Sequence, residues 1–412
     1  MWIGLFFSMM CLSLLAPDIS SPSLAYEVDQ QWQQITLYRE KTVQCLIMAE
    51  YTNGGPYVLE TFIHYIYIEF GIRPDADKDV WFLLSVEVQL AMRMGYHRDP
   101  SHFPKISPFD GEMRRRLWAT VLLGDILISS QMGMPRTVVE AQCDTAEPRN
   151  FEDEDLFPGM VELPASRPEV EITASSSVIV RRRLAMLLGE ISDLTASTKP
   201  TAYAEVMRLD RKLNEAADNI PAALRTENPS SVASTTGHPP QLTMARIFIT
   251  HLVYKGRVML HQRFLHTHAP FTGEDTFAYS RKTCIDACLA TLRMQRALED
   301  DTRPGGPLHV LRWRVTSSMN HQFLTATMLL CALLHRGAAR GREEEITAAL
   351  GATREIWERR SGISREARRA AGALRLVLGG AGSEGWVGGG GMQSDRADDL
   401  GRQEMSQSST GK

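Results

Sequence analysis

The sequence predicts an all-α fold, with one large region of many helices followed by a tail without regular structure. Apolar residues recur at helical spacing through most of the 412 residues, and no long stretch alternates between apolar and polar residues as a strand does. Hydrophobic residues make up 43% of the chain and charged residues 23%, which is an ordinary globular composition. A chain of this length can bury one large core or two ordinary cores.

The charge balance and the cysteine spacing exclude several classes of protein. The net charge is −4, whereas a dedicated DNA-binding module is usually strongly basic. The six cysteines match neither a disulfide framework nor a zinc-finger spacing, because they lie far apart at Cys11, Cys45, Cys143, Cys284, Cys288 and Cys331. This usage favours a reduced, intracellular compartment and predicts that this chain holds neither a metal nor a cofactor.

Residues 1–25 form an apolar leader that allows three interpretations. Trp2 to Leu15 carries no charged residue, and Ser23-Leu24-Ala25 would suit a signal peptidase. A signal peptide normally begins with a basic residue, however, and the first basic residue here is Arg39. The stretch is also short for a bilayer span, so we predict no membrane partner. The alternatives to a signal peptide are a helix buried on the domain and a misassigned first exon.

The first helices are predicted by apolar stripes and by residues that begin or end a helix. The predicted ranges are 30–51, 58–70, 80–94 and a fourth helix that begins after Ser107. Asp79 is the expected N-cap of the third helix, and Gly95 lies just past its end. In the fourth, Ser107 is the N-cap, Pro108 takes the first position and Asp110 supplies the acid of a capping box. Gly133 and Pro135 end it.

The rest of the chain is predicted as loops and further helices. Residues 140–168 are acidic and rich in proline, which indicates a long surface loop. Helices are predicted at 178–194, 202–217, 242–265, 280–298, 311–335 and 343–378, with a linker near 221–241. Residues 379–412 are rich in glycine and serine and are predicted to be disordered.

Clusters of chemically active side chains are present, but each has a structural explanation. His261, His266 and His268 match no standard zinc spacing. Cys284 and Cys288 share one helix face and are better explained as small core residues. No catalytic or nucleotide-binding motif is present, so the sequence predicts a protein that is not an enzyme.

The arginine run at 114–116 has both a binding and a structural interpretation. Clustered guanidinium groups bind phosphates well. Three consecutive residues on a helix cannot share one face, however, and Glu112 and Asp99 are close in sequence as partners. We therefore predict that these arginines form structural salt bridges.

The stretch from Ala91 to Leu156 resembles the regulatory middle domain of fungal transcription factors, which usually follows a binuclear zinc cluster. A helix ends on Met-Gly before His-Arg-Asp-Pro, and Ser-Pro then opens a helix with Glu, three Arg and Leu-Trp. A Gly-x-Pro stop and a Cys-Asp follow. The family-motif residues are Gly95, His97, Arg98, Asp99, Pro100, Ser107, Pro108, Glu112, Arg114, Arg115, Arg116, Trp118, Asp125, Gly133, Pro135, Cys143, Asp144 and Pro148.

The resemblance covers roughly residues 26–378 and implies an all-helical regulatory domain. It implies a nuclear regulator of RNA polymerase II genes, whose middle domain restrains the activator and can sense a small-molecule effector. The full-length family member binds DNA through six cysteines that hold two zinc ions. The resemblance also implies a homodimer or contacts with other transcription proteins.

The chain as written shows no six-cysteine cluster, which leaves two interpretations within the family. Upstream exons could be absent from the gene model, or the protein could be a shortened modulator that acts through protein partners. A secreted helical protein or an enzyme is the competing class.

The physics of the motif agrees with a scaffold that fixes the angle between two helices. His97, Arg98, Asp99 and the arginine run can join the two helices through charge-assisted hydrogen bonds. We therefore predict that Arg98→Ala or Asp99→Ala destabilises the fold more than an ordinary surface substitution does.

Overall fold

Twelve α-helices are present in the computed structural model, which describes residues 1–16, 25–75, 77–226, 239–267 and 275–379. Short 3₁₀ turns and loops join them, and these ranges contain no strand. The helices in chain order are α1 (Trp2–Leu15), α2 (Ala25–Met48), α3 (Val58–Ile72), α4 (Lys78–Arg93), α5 (Pro108–Met132), α6 (Ser176–Ala196), α7 (Tyr203–Asp218), α8 (Pro240–His261), α9 (Ala278–Asp301), α10 (Ser317–His335), α11 (Glu343–Arg360) and α12 (Arg365–Gly379). The predicted all-helical class is confirmed.

Two long helices each stand between two hydrophobic cores. On α5, Trp118 and Val121 pack with α3 and α4, whereas Ile126 packs with α6, α7 and α8. On α8, Leu252 belongs to that second core and Ile247 to a third core formed with α9 to α12. Because both sides of these helices are buried, each is apolar on more than one face.

The apolar N-terminal segment is a helix that packs on the domain. Gly4, Ser8 and Cys11 of α1 are buried against α2 and α3. A Cβ on Gly4 would lie 2.8 Å from the Cβ of Cys45, so only glycine allows this close approach. The Ser8 hydroxyl lies 3.0 Å from Nδ1 of His64. For Trp2–Leu15 the structure shows a helix packed on the domain, whereas residues 17–24 lie outside the described residues.

Several predicted helix limits are wrong. Helix α4 begins at Lys78, and its N-cap is Asp77, whose side chain accepts from the Asp79 amide. The predicted helix 311–335 is a 3₁₀ turn at His309–Arg314 followed by α10. The predicted helix 343–378 is broken into α11 and α12.

One predicted loop is present in the structure, and the predicted linker and tail lie mostly outside the described residues. Residues 140–168 form a loop with two short 3₁₀ turns, as predicted. Most of the predicted linker, at 227–238, and the tail at 380–412 lie outside the described residues. His268 also lies outside them.

Candidate functional site

Most of the family-motif residues converge on one place, where the end of α4, the start of α5 and the loop after α5 meet. Here this place is named the aspartate junction; it comprises residues 95–102, 112–118 and 143–150, arranged around Asp99 and Asp144. Two extended segments lie side by side within it: the Asp144 amide donates to the His97 carbonyl at 3.0 Å, and the Thr145 hydroxyl donates to the Tyr96 carbonyl at 2.6 Å. Motif residues from separate parts of the sequence therefore contact one another in the folded chain.

Asp99 is the most constrained residue of the aspartate junction. Its side chain accepts from Nε and Nη2 of Arg115 at 3.0 and 2.9 Å, and from the amides of Ser101 and Ala146 at 3.0 and 2.9 Å. Burial alone would raise the pKa of Asp99, but these hydrogen bonds hold that pKa well below its usual range. The carboxylate is thus ionised and fully bonded although it is 6% exposed.

Asp144 forms the outer, solvent-exposed half of the aspartate junction. It accepts from the Asp99 amide at 2.9 Å, and its other oxygen lies 2.9 Å from both Nη2 of Arg98 and Nε2 of His102. The Asp99 amide, the hydrogen bond with His102 and the charge of Arg98 lower the pKa of Asp144. The Arg98 side chain is 50% exposed and the Asp144 side chain 41%, so water screens this pair.

The helix ends that frame the aspartate junction are as predicted, with one correction. Gly95 has φ +76°, and the Tyr96 amide donates to the Ala91 carbonyl at 3.0 Å, which closes α4. The Ser107 hydroxyl accepts from the Asp110 amide at 3.1 Å at the start of α5, where Pro108 takes the first position. The Asp110 carboxylate accepts from the Ser107 hydroxyl rather than from the Ser107 amide, so the capping box is incomplete.

The three arginines of α5 each have a different protein partner. Arg114 donates to the Met94 carbonyl, and its guanidinium lies 4.2 Å from the ring centre of Tyr96. Arg115 binds Asp99. Arg116 binds Asp153 at 3.0 Å and donates to the Ser175 hydroxyl at 2.6 Å. Each of the three guanidinium groups therefore contacts another part of the protein, and their structural role stays a prediction.

Glu112 connects the aspartate junction to the loop after α5. It is fully buried and accepts from the Arg149 amide at 2.9 Å, and Arg115 and Arg116 lie 3.7 and 3.9 Å away. Burial raises the pKa of Glu112. Next along the chain, the Asn150 side-chain amide donates to the Pro168 and Glu171 carbonyls, both at 2.9 Å. The long loop is therefore fixed onto α5.

Asp125 holds the chain where it leaves α5. Its carboxylate accepts from the amides of Thr137 and Val138, the latter at 2.7 Å. Gly133 has φ +67°, which ends the helix, and Pro135 follows within the turn that Asp125 fixes. Gly133 and Pro135 were predicted from the sequence to end the helix, whereas the partners of Asp125 were not predicted.

The remaining motif residues are His97, Pro100, Trp118, Cys143 and Pro148, and His97, Pro100 and Trp118 contact their neighbours mainly by packing. The His97 ring lies 6.4 Å from the Trp118 ring, and Trp118 is 1% exposed. Pro100 is buried against Gly111, whose added Cβ would meet Pro100 at 3.2 Å. The Cys143 thiol donates to the Val139 carbonyl, and Pro148 precedes the Arg149 amide that Glu112 binds. The structure brings these residues together as a scaffold.

Sequence reasoning missed a second buried polar cluster, formed by α7, α8 and α9. His261 Nε2 lies 3.0 Å from the Asp210 carboxylate, and His261 Nδ1 lies 2.9 Å from the Ser280 hydroxyl. Tyr279 donates to Asp210 at 2.7 Å, and the Tyr203 hydroxyl lies 2.9 Å from Ser280. Burial opposes ionisation of Asp210, but bonds from His261 and Tyr279 lower its pKa overall.

This serine, histidine and aspartate set has the order of a hydrolase triad but no access to solvent. Ser280 and His261 are fully buried, and Asp210 is 2% exposed. A catalytic serine must meet its substrate, and the hydroxyl is instead occupied by Tyr203. The arrangement can therefore hold three helices together but cannot perform acyl transfer as it stands.

The described residues offer no cluster of three or more potential metal ligands. Cys284 and Cys288 are both buried in the core formed by α9 to α12, as predicted for small core residues. Burial and the neighbouring Cys284 raise the pKa of Cys288, which opposes formation of the thiolate that binds metals.

Residues 5–193, which contain the whole aspartate junction, match the family model described as fungal specific transcription factor domain. The chain belongs to this family. The matched range runs from α1 into α6, so the apolar N-terminal helix lies within the family domain from residue 5 onward.

Curated relatives of this fungal transcription factor domain extend the similarity through α12. The chain is 40% identical over 408 residues to the pyrrolocin cluster transcription factor fsdR of Fungal sp. (strain NRRL 50135), covering 93% of this chain and 52% of that protein. It is 38% identical to the Zn(2)-C6 fungal-type transcription factor mpsB of Macrophomina phaseolina, covering 92% and 52%. It is 37% identical to the equisetin cluster transcription factor eqxF of Fusarium heterosporum, covering 92% and 55%. The chain thus spans about half the length of these relatives.

Comparison with solved structures gave no match. Within the part of the chain that the structure describes, none of the helices combines the length and apolar character that crossing a bilayer requires.

Proposed function

We propose that this chain is the regulatory part of a fungal transcription regulator that acts on RNA polymerase II genes in the nucleus. The observation that carries the proposal is the similarity to named cluster transcription factors along 93% of the chain. The aspartate junction supports it, because buried charges bonded to backbone amides build a rigid scaffold rather than a reactive centre. The domain proposed here is residues 26–378, and the packing of α1 supports including residues 1–25 as well.

We propose that specific DNA binding and zinc binding belong to the full-length family member and not to this chain. One relative is named as a Zn(2)-C6 factor, and the chain covers 52% of it. Only Cys284 and Cys288 are neighbours, no three potential metal ligands converge within the described residues, and four of the six cysteines are buried. Zinc fixes a DNA-reading helix only when several ligands converge on one ion, which these positions do not support.

We also propose that the chain is not an enzyme and that its partners are proteins. The buried Asp210, His261 and Ser280 set supports the first statement, since no solvent reaches it. The second is supported by α1, whose outer face exposes Trp2, Phe6 and Met9. Exposed apolar side chains in a row are more common at protein interfaces than on free surfaces. A homodimer or a complex with another transcription protein fits this surface.

The test is a tethering experiment in a fungal host. The chain is fused to a bacterial DNA-binding domain, and a reporter with the matching operator is measured. We expect transcription from this reporter to change, and the untethered chain to leave it unchanged. An identical reporter signal with and without the fused chain would contradict the proposed regulation.

The alternative candidate is a modulator that acts only through protein partners. It is favoured by the exposed apolar side chains of Trp2, Phe6 and Met9 on α1, which suit a contact with another protein. In this case the untethered chain should change a reporter that is driven by a tethered full-length relative. Added chain that leaves the relative's output unchanged would exclude this candidate.

A further inference from the structure

A cavity of about 410 Å³ opens where the first and last parts of the fold meet. Its walls come from the end of α9, the start of α10, the end of α11 and the start of α12, with Pro74 from the loop between α3 and α4. The volume is that of a site for one small organic molecule. Nothing in the family motif contributes to it, because the aspartate junction lies on α4 and α5.

The charge of the cavity wall favours an anion. Four arginines line it, against two glutamates. Glu299 forms ion pairs with two of these arginines, at 3.0 Å from Arg359 and 2.6 Å from Arg360. Glu366 lies 3.1 Å from His321. The side chains of Arg303 and Arg359 are each about half exposed, so they can turn toward a bound carboxylate.

Two buried polar atoms of the wall lack a hydrogen-bond partner in the described structure: the indole nitrogen of Trp357 and one carboxylate oxygen of Glu366. Trp357 is 2% exposed, and its indole nitrogen makes no hydrogen bond within the described structure. A buried N–H without an acceptor costs free energy, and such groups are rare unless a ligand or water satisfies them. An acceptor oxygen of a ligand in the cavity would satisfy this donor. Val315, Ile363 and Pro304 supply apolar surface beside it.

The cavity lies beside a contact that ties the loop after α3 to α12. The Asp75 carboxylate accepts from the Ser364 hydroxyl and, at 2.7 Å, from the Arg365 amide. These residues are 289 and 290 positions apart in the chain. A molecule bound between Pro74 and Ala367 would contact both sides of this long-range link.

We infer that this cavity binds an amphipathic organic acid, with its acidic group toward the arginines and the Trp357 N–H and its apolar body against Val315 and Ile363. The inference rests on the proposed function in one respect: it names the class of effector that the regulator senses. Binding would stabilise the native state by mass action, since only the folded chain forms the cavity.

The test uses the whole 412-residue chain and two probes of equal size, 2-naphthoate and 2-naphthalenemethanol. Isothermal titration calorimetry should show saturable binding of the acid that is about tenfold tighter than binding of the alcohol, because charge-assisted bonds are the stronger ones. The double variant Arg303→Gln with Arg359→Gln should lower the affinity for the acid about tenfold. Trp357→Phe, which keeps a ring but removes the donor, should weaken it about threefold.

A matched control removes the same charge from the same region. Arg354 and Arg368 are exposed residues of α11 and α12 that do not line the cavity. Arg354→Gln with Arg368→Gln should leave the affinity unchanged. An equal loss in this control, equal affinity for acid and alcohol, or no saturable binding of the acid below about 1 mM would each overturn the inference.

The outcome also separates this inference from the proposed function. A tethered chain that regulates its reporter but does not bind 2-naphthoate overturns the cavity assignment alone. A chain that binds 2-naphthoate through these arginines but leaves the reporter unchanged overturns the proposed regulation alone.

Discussion

The aspartate junction and the middle of α8 both contain buried polar side chains, but they differ in the hydrogen bonds that those side chains make. Asp99 is 6% exposed and accepts hydrogen bonds from two backbone amides and from Arg115. On α8, His251 is 1% exposed and Lys255 3%, and neither ring nitrogen of His251 has a partner in the described structure. Burial and the nearby Lys255 lower the pKa of His251 to about 3, and burial lowers that of Lys255 to about 8.

This difference shows that burial alone does not decide whether a polar group stabilises a fold. At the aspartate junction the ionised carboxylate of Asp99 is the form that accepts the hydrogen bonds. Removing one of its partners therefore leaves a buried charge without that partner. On α8 the His251 ring has no hydrogen-bond partner in the described structure, and burial disfavours the charged form of Lys255, so removing either group relieves a cost. Replacing a buried polar residue by an apolar one should therefore lower the free energy of unfolding at the aspartate junction and raise it on α8.

The largest effect is expected for Asp99→Ala at the aspartate junction. The substitution leaves Arg115, which is 12% exposed, with only Glu112 at 3.7 Å, and leaves the Ala146 amide unbonded. We expect the free energy of unfolding to fall by about 3 kcal/mol, measured by urea denaturation. Asp79→Ala, at a side chain that is 53% exposed, serves as the control. Equal denaturation midpoints for both variants would contradict the assigned role of Asp99.

Much of the aspartate junction could be predicted because its signals are local in sequence. Gly95, Ser107 and Gly133 end or begin helices through bonds to residues within one or two turns. Asp99 and Arg115 are 16 positions apart, across one turn between two helices, and were expected as partners. The second partner of Asp99, the Ala146 amide, comes from a loop whose path the sequence does not specify.

The cluster around His261 could not be predicted, for a physical reason. Its bonds join positions 51 and 19 apart on three helices, and helical periodicity does not show which faces meet. The same limit applies to α8, whose two buried faces serve two cores. The split of 343–378 into α11 and α12 was missed because apolar spacing resumes on both sides of Ser361 to Ser364.

The next largest loss of stability is expected for His261→Leu. This substitution tests whether hydrogen-bonded buried side chains also stabilise the fold far from the motif. The change removes one donor from Asp210, which is 2% exposed, and leaves the Ser280 hydroxyl with Tyr203 alone. We expect the free energy of unfolding to fall by about 2 kcal/mol. His335→Leu, at an exposed position of α10, is the control for adding an apolar side chain. If His261→Leu unfolds at the same urea concentration as the unsubstituted chain, the cluster does not stabilise α7, α8 and α9.

A gain in stability is expected for Lys255→Met inside α8. Below pH 8 both the folded and the unfolded chain carry the proton on Lys255, so the cost of burying its charge is fully present at pH 7. Replacing it by methionine should raise the free energy of unfolding by about 1–2 kcal/mol at pH 7.

The pH dependence of the same variant provides its check. Between pH 8 and the ordinary lysine pKa of 10.5, the folded chain loses the proton first, so the unsubstituted protein gains stability as the pH rises. The advantage of Lys255→Met should therefore shrink when denaturation is repeated at pH 10. A variant that is less stable than the parent at pH 7 would show that Lys255 is satisfied in solution and that the contrast with Asp99 is wrong.

The smallest effect is expected for Arg98→Ala, beside Asp99 in the chain but on the solvent side of the aspartate junction. Within the described residues its only charged contact is with Asp144, and both side chains are 41–50% exposed. This exposure corrects, for Arg98, the prediction from the sequence that its loss exceeds that of an ordinary surface substitution. We expect a loss of about 0.5 kcal/mol, which should vanish in 1 M salt because screening removes the attraction between exposed charges. The comparison with Asp99→Ala thus separates two adjacent motif residues that the sequence treats alike. A loss near that of Asp99→Ala would mean that Arg98 stabilises the fold through a contact other than its exposed pair with Asp144. It would also mean that side-chain exposure does not predict the loss of stability at the aspartate junction.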